Sequence, residues 1–355
     1  MPRLLALAAL TLALLAQHRT ARAAEALSLT PVEYFGPSAC TTPGCTAPGC
    51  SEPTCAAPSC DSPSCRAGCS GFGRCGHDDG CCSNQRLFGL FRHSDCRFDC
   101  FISPMTNPVF FEDPRNVTEA RVIFMNHRIP TGVLGGGNIQ LLAVQLRASL
   151  TERLSLIATK DGYIFTSGDA PDINGFANVA LGLKYNLFVD PDLQRLLSVG
   201  ARAELPTGSY HALQGNSATT VFDLFLTGGA QVGELSHFLS SPGIRIPADH
   251  NQQNGQFYWS NHIDRRLRNR PIYGLAELNW YHWYSNGNSA LPVGGLDLYN
   301  FGSNAVAGTN VVTGALGVKY KPSSNLELGV CYEIPLTSNR DVLQNRVTAD
   351  LIWRY

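Results

Sequence analysis

Residues 177–187 read ANVALGLKYNL. Ala177, Val179, Leu181, Leu183, Tyr185 and Leu187 alternate with Asn178, Ala180, Gly182, Lys184 and Asn186. One face is apolar, the other small or polar. Successive side chains of a strand point to opposite faces, so strict alternation reads as a strand. A turn follows at Val189-Asp190-Pro191-Asp192. The pattern then resumes, with Leu197, Val199, Ala201, Ala203 and Leu205 against Ser198, Gly200, Arg202 and Glu204. The same texture recurs in 142–150, 222–231, 312–321, 326–334 and 346–355. The spacing predicts strands over 119–128, 138–150, 153–165, 175–188, 193–206, 219–234, 237–247, 255–265, 271–283, 309–321, 324–337 and 344–355. Alternation is weakest in 119–128, 237–247 and 255–265, so 10 or 14 strands also fit.

Alternation alone does not say which face is wet. In a soluble sandwich the apolar face packs inward, whereas in a membrane barrel it meets lipid. Three features favour the barrel. The strands are long enough for a tilted bilayer crossing and exceed the ~5–6 residues usual in globular sheets. Short links near 151–152, 189–192, 235–236, 266–270 and 322–323 alternate with longer ones at 166–174, 207–218, 248–254, 284–308 and 338–343. That is the habit of outer-membrane barrels. Aromatics gather at strand ends (Tyr185, Tyr320, Trp280, Trp283, Trp353 and Tyr355), as interfacial girdles require. His282 reads as a further interfacial side chain. A sheet can span lipid only without an edge. The expectation is therefore an all-β, antiparallel transmembrane β-barrel of about 12 strands over 118–355. An even count places both barrel ends on the side of the short links, which is expected to be periplasmic.

Residues 1–23 read as a secretory signal peptide: Arg3, an apolar run from Leu4 to Ala16, and Ala21-Arg22-Ala23. The run is too short to span a bilayer, which needs ~20 residues. Of 13 cysteines, 12 lie between Cys40 and Cys100, and export makes disulfides their expected state. Cys40, Cys45, Cys50, Cys55, Cys60 and Cys65 fall every fifth residue, each but the last followed three residues later by proline. Pro43, Pro48, Pro53, Pro58 and Pro63 exclude helix and sheet and favour an extended rod. With almost no large apolar residue there, cross-links within or between chains must supply order. Cys69, Cys75, Cys81, Cys82, Cys96 and Cys100 complete the set of disulfide candidates, with pairing left open. His77, Asp78 and Asp79 lie among them, but paired Cys-x-x-Cys zinc ligands are missing, so a disulfide knot is the reading and no metal is assigned. Residues 24–117 are thus expected to be a Cys/Pro-rich periplasmic segment. Cys331 stands alone on its strand and is expected to be a free thiol facing the lumen.

Lys and Arg number 27 against 28 Asp and Glu, which gives no electrostatic case for a nucleic-acid partner. Gly-x-Ser-x-Gly and His-Glu-x-x-His are both missing, no cofactor motif appears, and a non-enzymatic protein is expected.

The chain ends in VTADLIWRY. Leu351, Trp353 and the terminal aromatic Tyr355 resemble the C-terminal signal by which bacterial outer-membrane proteins reach the barrel-assembly machinery. ELPTGSY (204–210), LAELNWYHW (275–283) and GVKYKPSSNLELGVCYEIPLT (317–337) resemble planctomycete-type outer-membrane proteins. These are related to the transporter-like barrels grouped with the meta-pathway phenol-degradation family. The resemblance covers about 119–355 and implies an outer-membrane location, contact with outer-membrane lipid and passage of a small, aromatic or apolar solute. It brings no catalytic residues, and the Cys-x-x-Pro repeat falls outside it.

On the polar face stand Arg147, Lys184, Arg202, Glu204, Asp223, Glu277, Lys319, Glu327, Glu333, Arg346, Asp350 and Arg354, six of each sign. They are the lumen-lining candidates. Either they form a salt-bridged filling or they line a water-filled pore, since ~8 strands are filled by side chains and 16 or more leave a channel. The 284–308 loop can reach the mouth, with Leu298, Tyr299 and Phe301 as an apolar tip; it reads either as a lid or as a surface loop. Two functions follow as expectations. One is a porin-like channel or transporter for a small solute. The other is a structural anchor whose cysteine segment cross-links to itself or to cell-envelope partners.

Overall fold

The computed structural model describes residues 86–133, 135–167, 174–209, 219–268 and 270–355. The expected signal peptide, the pentapeptide repeat and the cluster at 69–82 lie outside the described residues. So do all the disulfide candidates except Cys96 and Cys100, neither of which is a free thiol. None of the described helices is long and apolar enough to cross a membrane. Among the described residues a 3-10 turn, Cys96–Phe98, is capped by Asp95, whose carboxylate accepts the Arg97 N–H.

Fourteen strand segments carry the fold: β1 (Glu119–Arg128), β2 (Asn138–Ser149), β3 (Leu154–Lys160), β4 (Tyr163–Ser167), β5 (Gly175–Phe176), β6 (Val179–Asp190), β7 (Arg195–Leu205), β8 (Val221–Gln231), β9 (Ser236–Pro247), β10 (Gln256–Arg266), β11 (Ile272–Trp283), β12 (Asn310–Ser323), β13 (Leu326–Pro335) and β14 (Asn345–Arg354). β3 and β4 are one stave interrupted at Asp161 and Gly162; β5 and β6 are another, interrupted at Ala177 and Asn178. The result is twelve staves. Each pairs antiparallel with its neighbour in the chain, and β1 pairs with both β2 and β14, which closes the barrel and leaves no free edge. Strand ends agree with the spacing-based ranges to within three residues.

The interruption in the third stave has a local cause. β2 pairs with β3 through Leu146–Ser149 and with β4 through Asn138–Leu142. Between them the Val144 N–H is taken instead by the Asp161 carboxylate at 3.0 Å. Gly162 has φ +108°, and a Cβ there would stand 2.5 Å from the Leu142 carbonyl oxygen, so only glycine makes this kink.

The outer face is an apolar belt. Phe124, Leu142, Leu146, Leu183, Leu224, Ile263, Leu316, Val330 and Trp353 all point out, with Leu316 72% exposed. In water so continuous a patch would drive association; facing lipid it costs nothing. Tyr320 lies on this face near a strand end, Tyr185 lies on it in the middle of β6, and Trp280 stacks on His282, whose ring also stacks on Phe257. Trp283 is a correction to the aromatic girdle. It lies three residues from Trp280, hence on the opposite face, and is 1% exposed inside the barrel. Tyr355 is tied down, stacked on His93 at 3.8 Å, with its carbonyl accepting the Ser94 N–H at 2.7 Å. The short links, the start of β1 and the end of β14 share one end of the barrel.

Candidate functional site

The lumen is occupied from both ends by segments of the chain itself. From the short-link end comes the stretch 98–118, just ahead of β1. The sequence reading grouped 98–117 with the cysteine segment. In the structure Phe98, Phe101, Ile102, Met105, Val109, Phe110, Phe111 and Val117 are all buried inside the barrel. The stretch has no periodicity because it is neither helix nor strand. It rises along one wall, turns and descends along another. Ile102 and Met105 pack on Tyr273, Leu275 and Cys331. The turn is made at Asn107, φ +48°, whose carbonyl accepts the N–H groups of Phe110 and Phe111 at 3.0 and 2.8 Å. Asparagine tolerates this left-handed backbone better than most residues. Asn116 returns to the short-link end, donating to the Thr151 carbonyl at 2.8 Å.

An irregular buried chain leaves backbone polar groups that must find partners. The barrel wall supplies them. Gln145 donates to the Pro108 carbonyl at 2.7 Å, Arg202 to Val109 and Phe110, Thr227 to Glu112 at 2.6 Å, and Ser198 to Pro114 at 2.8 Å. Lys184 serves Asp113 and Arg115, and Lys321 serves Asp99 and Phe101. In return Glu277 accepts the N–H groups of Met105 at 2.7 Å and Thr106 at 2.6 Å. We call 98–118 the plug.

All twelve charged candidates lie on the inner face and are buried. The structure gathers them, with partners that the spacing did not reveal, into clusters. Arg147 bridges Glu112 of the plug at 2.8 Å and Glu119 at 3.0 Å; Lys184 reaches the same Glu112 at 3.0 Å. Glu327 and Asp350 share Lys319, at 3.1 and 3.0 Å, and Arg354 joins Glu327 to Glu119. Arg202 pairs with Asp223, Glu204 with Lys160 and Arg245, and Arg346 with Asp297 and, at 3.6 Å, Glu333. Glu277 continues through His262 at 2.6 Å to Asp264 and His237. Desolvating so many charges is costly, and pairing repays it only when each keeps a partner. What the wall gains is a fixed set of donors and acceptors to hold the plug. Among the described residues no His, Cys, Asp and Glu group has the arrangement to hold a metal ion.

From the other end the Tyr284–Thr309 loop folds inward. Val293, Leu296, Leu298, Tyr299 and Val306 pack with Val109 and Phe110 of the plug and with Ile123, Met125, Ile139, Leu141, Tyr281 and Trp283 of the wall. Gly294 lies on the Trp283 ring, where a Cβ would come within 2.2 Å. Two ties pin the loop. Asp297 accepts two hydrogen bonds from Arg346 at 2.8 and 2.9 Å, and Asp341 accepts the N–H groups of Gly294 and Gly295 at 3.0 and 2.9 Å. Burial raises the Asp341 carboxyl to about 6 in spite of these hydrogen bonds. Plug and loop meet around a cleft with about 10 Å³ of free room, lined mainly by Pro108, Val109, Ile123, Met125, Leu141 and Leu298, with Gln145, Thr159 and Lys160 at one flank. That is space for about one water.

No protein-family model and no curated protein matches the sequence. Among solved structures the chain is similar to an outer membrane channel from Pseudomonas putida F1, with a TM-score of 0.53 and 13% identity over 72% of this chain and 100% of that one. NanC porin aligns with a TM-score of 0.42 and 9% identity over 67% of this chain and 99% of that one. KdgM porin in complex with disordered oligogalacturonate aligns at 0.40 and 11%, over 66% and 99%. At these identities the likeness concerns the barrel fold alone, and the two porin alignments carry no argument here.

Proposed function

We propose that this protein is an outer-membrane, porin-like conduit for a small solute, held shut by its plug and its inward loop. One observation carries the reading: the lumen is filled by two chain segments and not by the wall's own side chains alone. A barrel of ~8 strands is filled by its wall alone. Here the staves enclose room for both limbs of the plug and a loop tip, so moving either opens space. A small apolar or aromatic solute is what the resemblance to planctomycete-type and phenol-degradation-type barrels implies, and the apolar residues that plug and loop turn toward each other are compatible with it. In this reading the short-link end and residues 24–97 face the periplasm, and Leu351, Trp353 and Tyr355 address the nascent chain to the barrel-assembly machinery.

The filled lumen also suits the second reading, an envelope anchor whose cysteine segment cross-links to itself or to partners. Planar-bilayer currents separate the two. The full chain should show rare, brief openings. A variant with 288–305 replaced by a short Gly/Ser link, and confirmed as heat-modifiable, should open more often than the full chain and in discrete steps. If that variant, further loosened at Glu277, stays silent while folded and inserted, the conduit reading fails.

A further inference from the structure

Four of the six residues in 265–270 are arginines, in a chain whose net charge is −1. Arg265 and Arg266 end β10, and Arg268 and Arg270 stand in the link between β10 and β11. The link is closed by the Leu267 N–H on the Ile272 carbonyl at 2.8 Å and the Arg270 N–H on the Leu267 carbonyl at 3.0 Å. Arg265, Arg268 and Arg270 are exposed; Arg266 is half-buried and hydrogen-bonded to Tyr273. Among the described residues none of the four has a carboxylate partner. Adjacent Asp264 is spent inward on His237 and His262. Inside the barrel, by contrast, Arg147, Arg202, Arg245, Arg346 and Arg354 are all paired.

The link stands where the apolar belt ends. Ile263 is 50% exposed on the outer face, and Arg265 follows on the same face, about 7 Å further along the strand. Tyr320, paired with Ile272 at the foot of β11, marks the interfacial level on the adjoining stave. Leu267, 52% exposed, sits between the arginines. A guanidinium at the rim of hydrocarbon needs a counter-charge, and its fork matches phosphate in two parallel hydrogen bonds.

We propose that the β10–β11 link is a docking site for the phosphate headgroups of anionic lipid in the leaflet at the short-link end. The interleaved Ile263 and Leu267 favour a lipid over a soluble polyanion, because they offer contact to acyl chain that a polymer would not use. The proposal rests on the membrane placement and not on conduction, so a barrel silent in the bilayer experiment leaves it standing.

The test uses the full chain in neutral detergent, with phosphatidylglycerol and phosphatidylcholine of equal chain length as probes and native mass spectrometry to count bound lipids. Phosphatidylglycerol should be favoured about tenfold or more, since each arginine near anionic lipid adds a several-fold preference. R265Q/R268Q/R270Q, shown to be heat-modifiable and hence folded, should lose most of that preference. Equal retention of the two lipids, or an undiminished preference in the variant, overturns the proposal. So does displacement of phosphatidylglycerol by inorganic phosphate or poly-glutamate at equal charge concentration, which would identify a general anion site or a polymer surface.

Discussion

The carboxylate of Glu277, on β11, accepts the backbone N–H of Met105 at 2.7 Å across 172 residues of sequence. It also takes the Thr106 N–H and the His262 ring. This one side chain therefore joins plug to wall. Glu277→Gln replaces one acceptor oxygen with a donor facing donors. Hydrogen bonds to charged groups are worth about 1.5–3 kcal/mol. The expected outcome is a plug displaced roughly 30-fold more often, about 2 kcal/mol, read as opening frequency in planar bilayers. An opening frequency equal to the parent's would show that Glu277 does not hold the plug.

The outer belt makes its own prediction. Leu316 is 72% exposed midway along β12. Arginine near the bilayer midplane of a barrel costs about 2–4 kcal/mol. Leu316→Arg should therefore fold poorly from urea into phosphatidylcholine vesicles, whereas Leu316→Ala should fold nearly as well as the parent. Equal folding of the arginine variant would remove lipid from the outer face.

The loop tie should respond to acid. Asp341 lies between β13 and β14, and its carboxyl is raised to about 6 by burial. A raised carboxyl binds its proton more tightly docked than undocked. The stabilisation is complete below the ordinary value near 4 and is lost as pH rises through about 6, with a ceiling of ~3 kcal/mol. Proteolysis of the 284–309 loop should thus quicken between pH 4 and 6.5. Asp341→Asn should flatten that profile; a profile unchanged by the substitution would assign the effect to another group.

Cys331 is a free cysteine, 3% exposed, packed beneath Ile102 and Met105. The lumen-facing side expected from the alternation is correct, but the plug covers it. A maleimide should leave Cys331 unmodified in the folded chain, tracked by mass spectrometry of its peptide, and label it once Glu277→Gln loosens the plug. Rapid labelling of the folded parent would mean the plug leaves that wall open.

The staves were legible because lipid outside and polar groups inside impose a period of two, and 177–187 obeys it throughout. It blurs where the stoppers dock. Ile123 and Met125 on β1, Leu239 on β9 and Tyr258 on β10 point inward yet are apolar or aromatic, since they pack against plug or loop. Those are the three strands whose pattern was poorest. The plug itself left no local mark. Its partners, such as Arg202 for Val109 or Lys321 for Phe101, stand 93 and 220 residues away. A segment satisfied largely by distant side chains has no periodicity to read. The charged inner residues were legible as inward-facing; their pairing was not, because each partner lies on another stave, on the plug or on the inward loop.

Plug and loop enter from opposite mouths and share one apolar cluster that includes Val109, Phe110 and Leu298. Two barriers thus stand in series along one axis, each tethered at its own end. Under the conduit proposal, leakage would scale with the product of two small opening probabilities, so the membrane would stay tight even when either barrier is imperfect. Under the same proposal, a solute arriving at either mouth would meet the nearer barrier first and the farther one only after it.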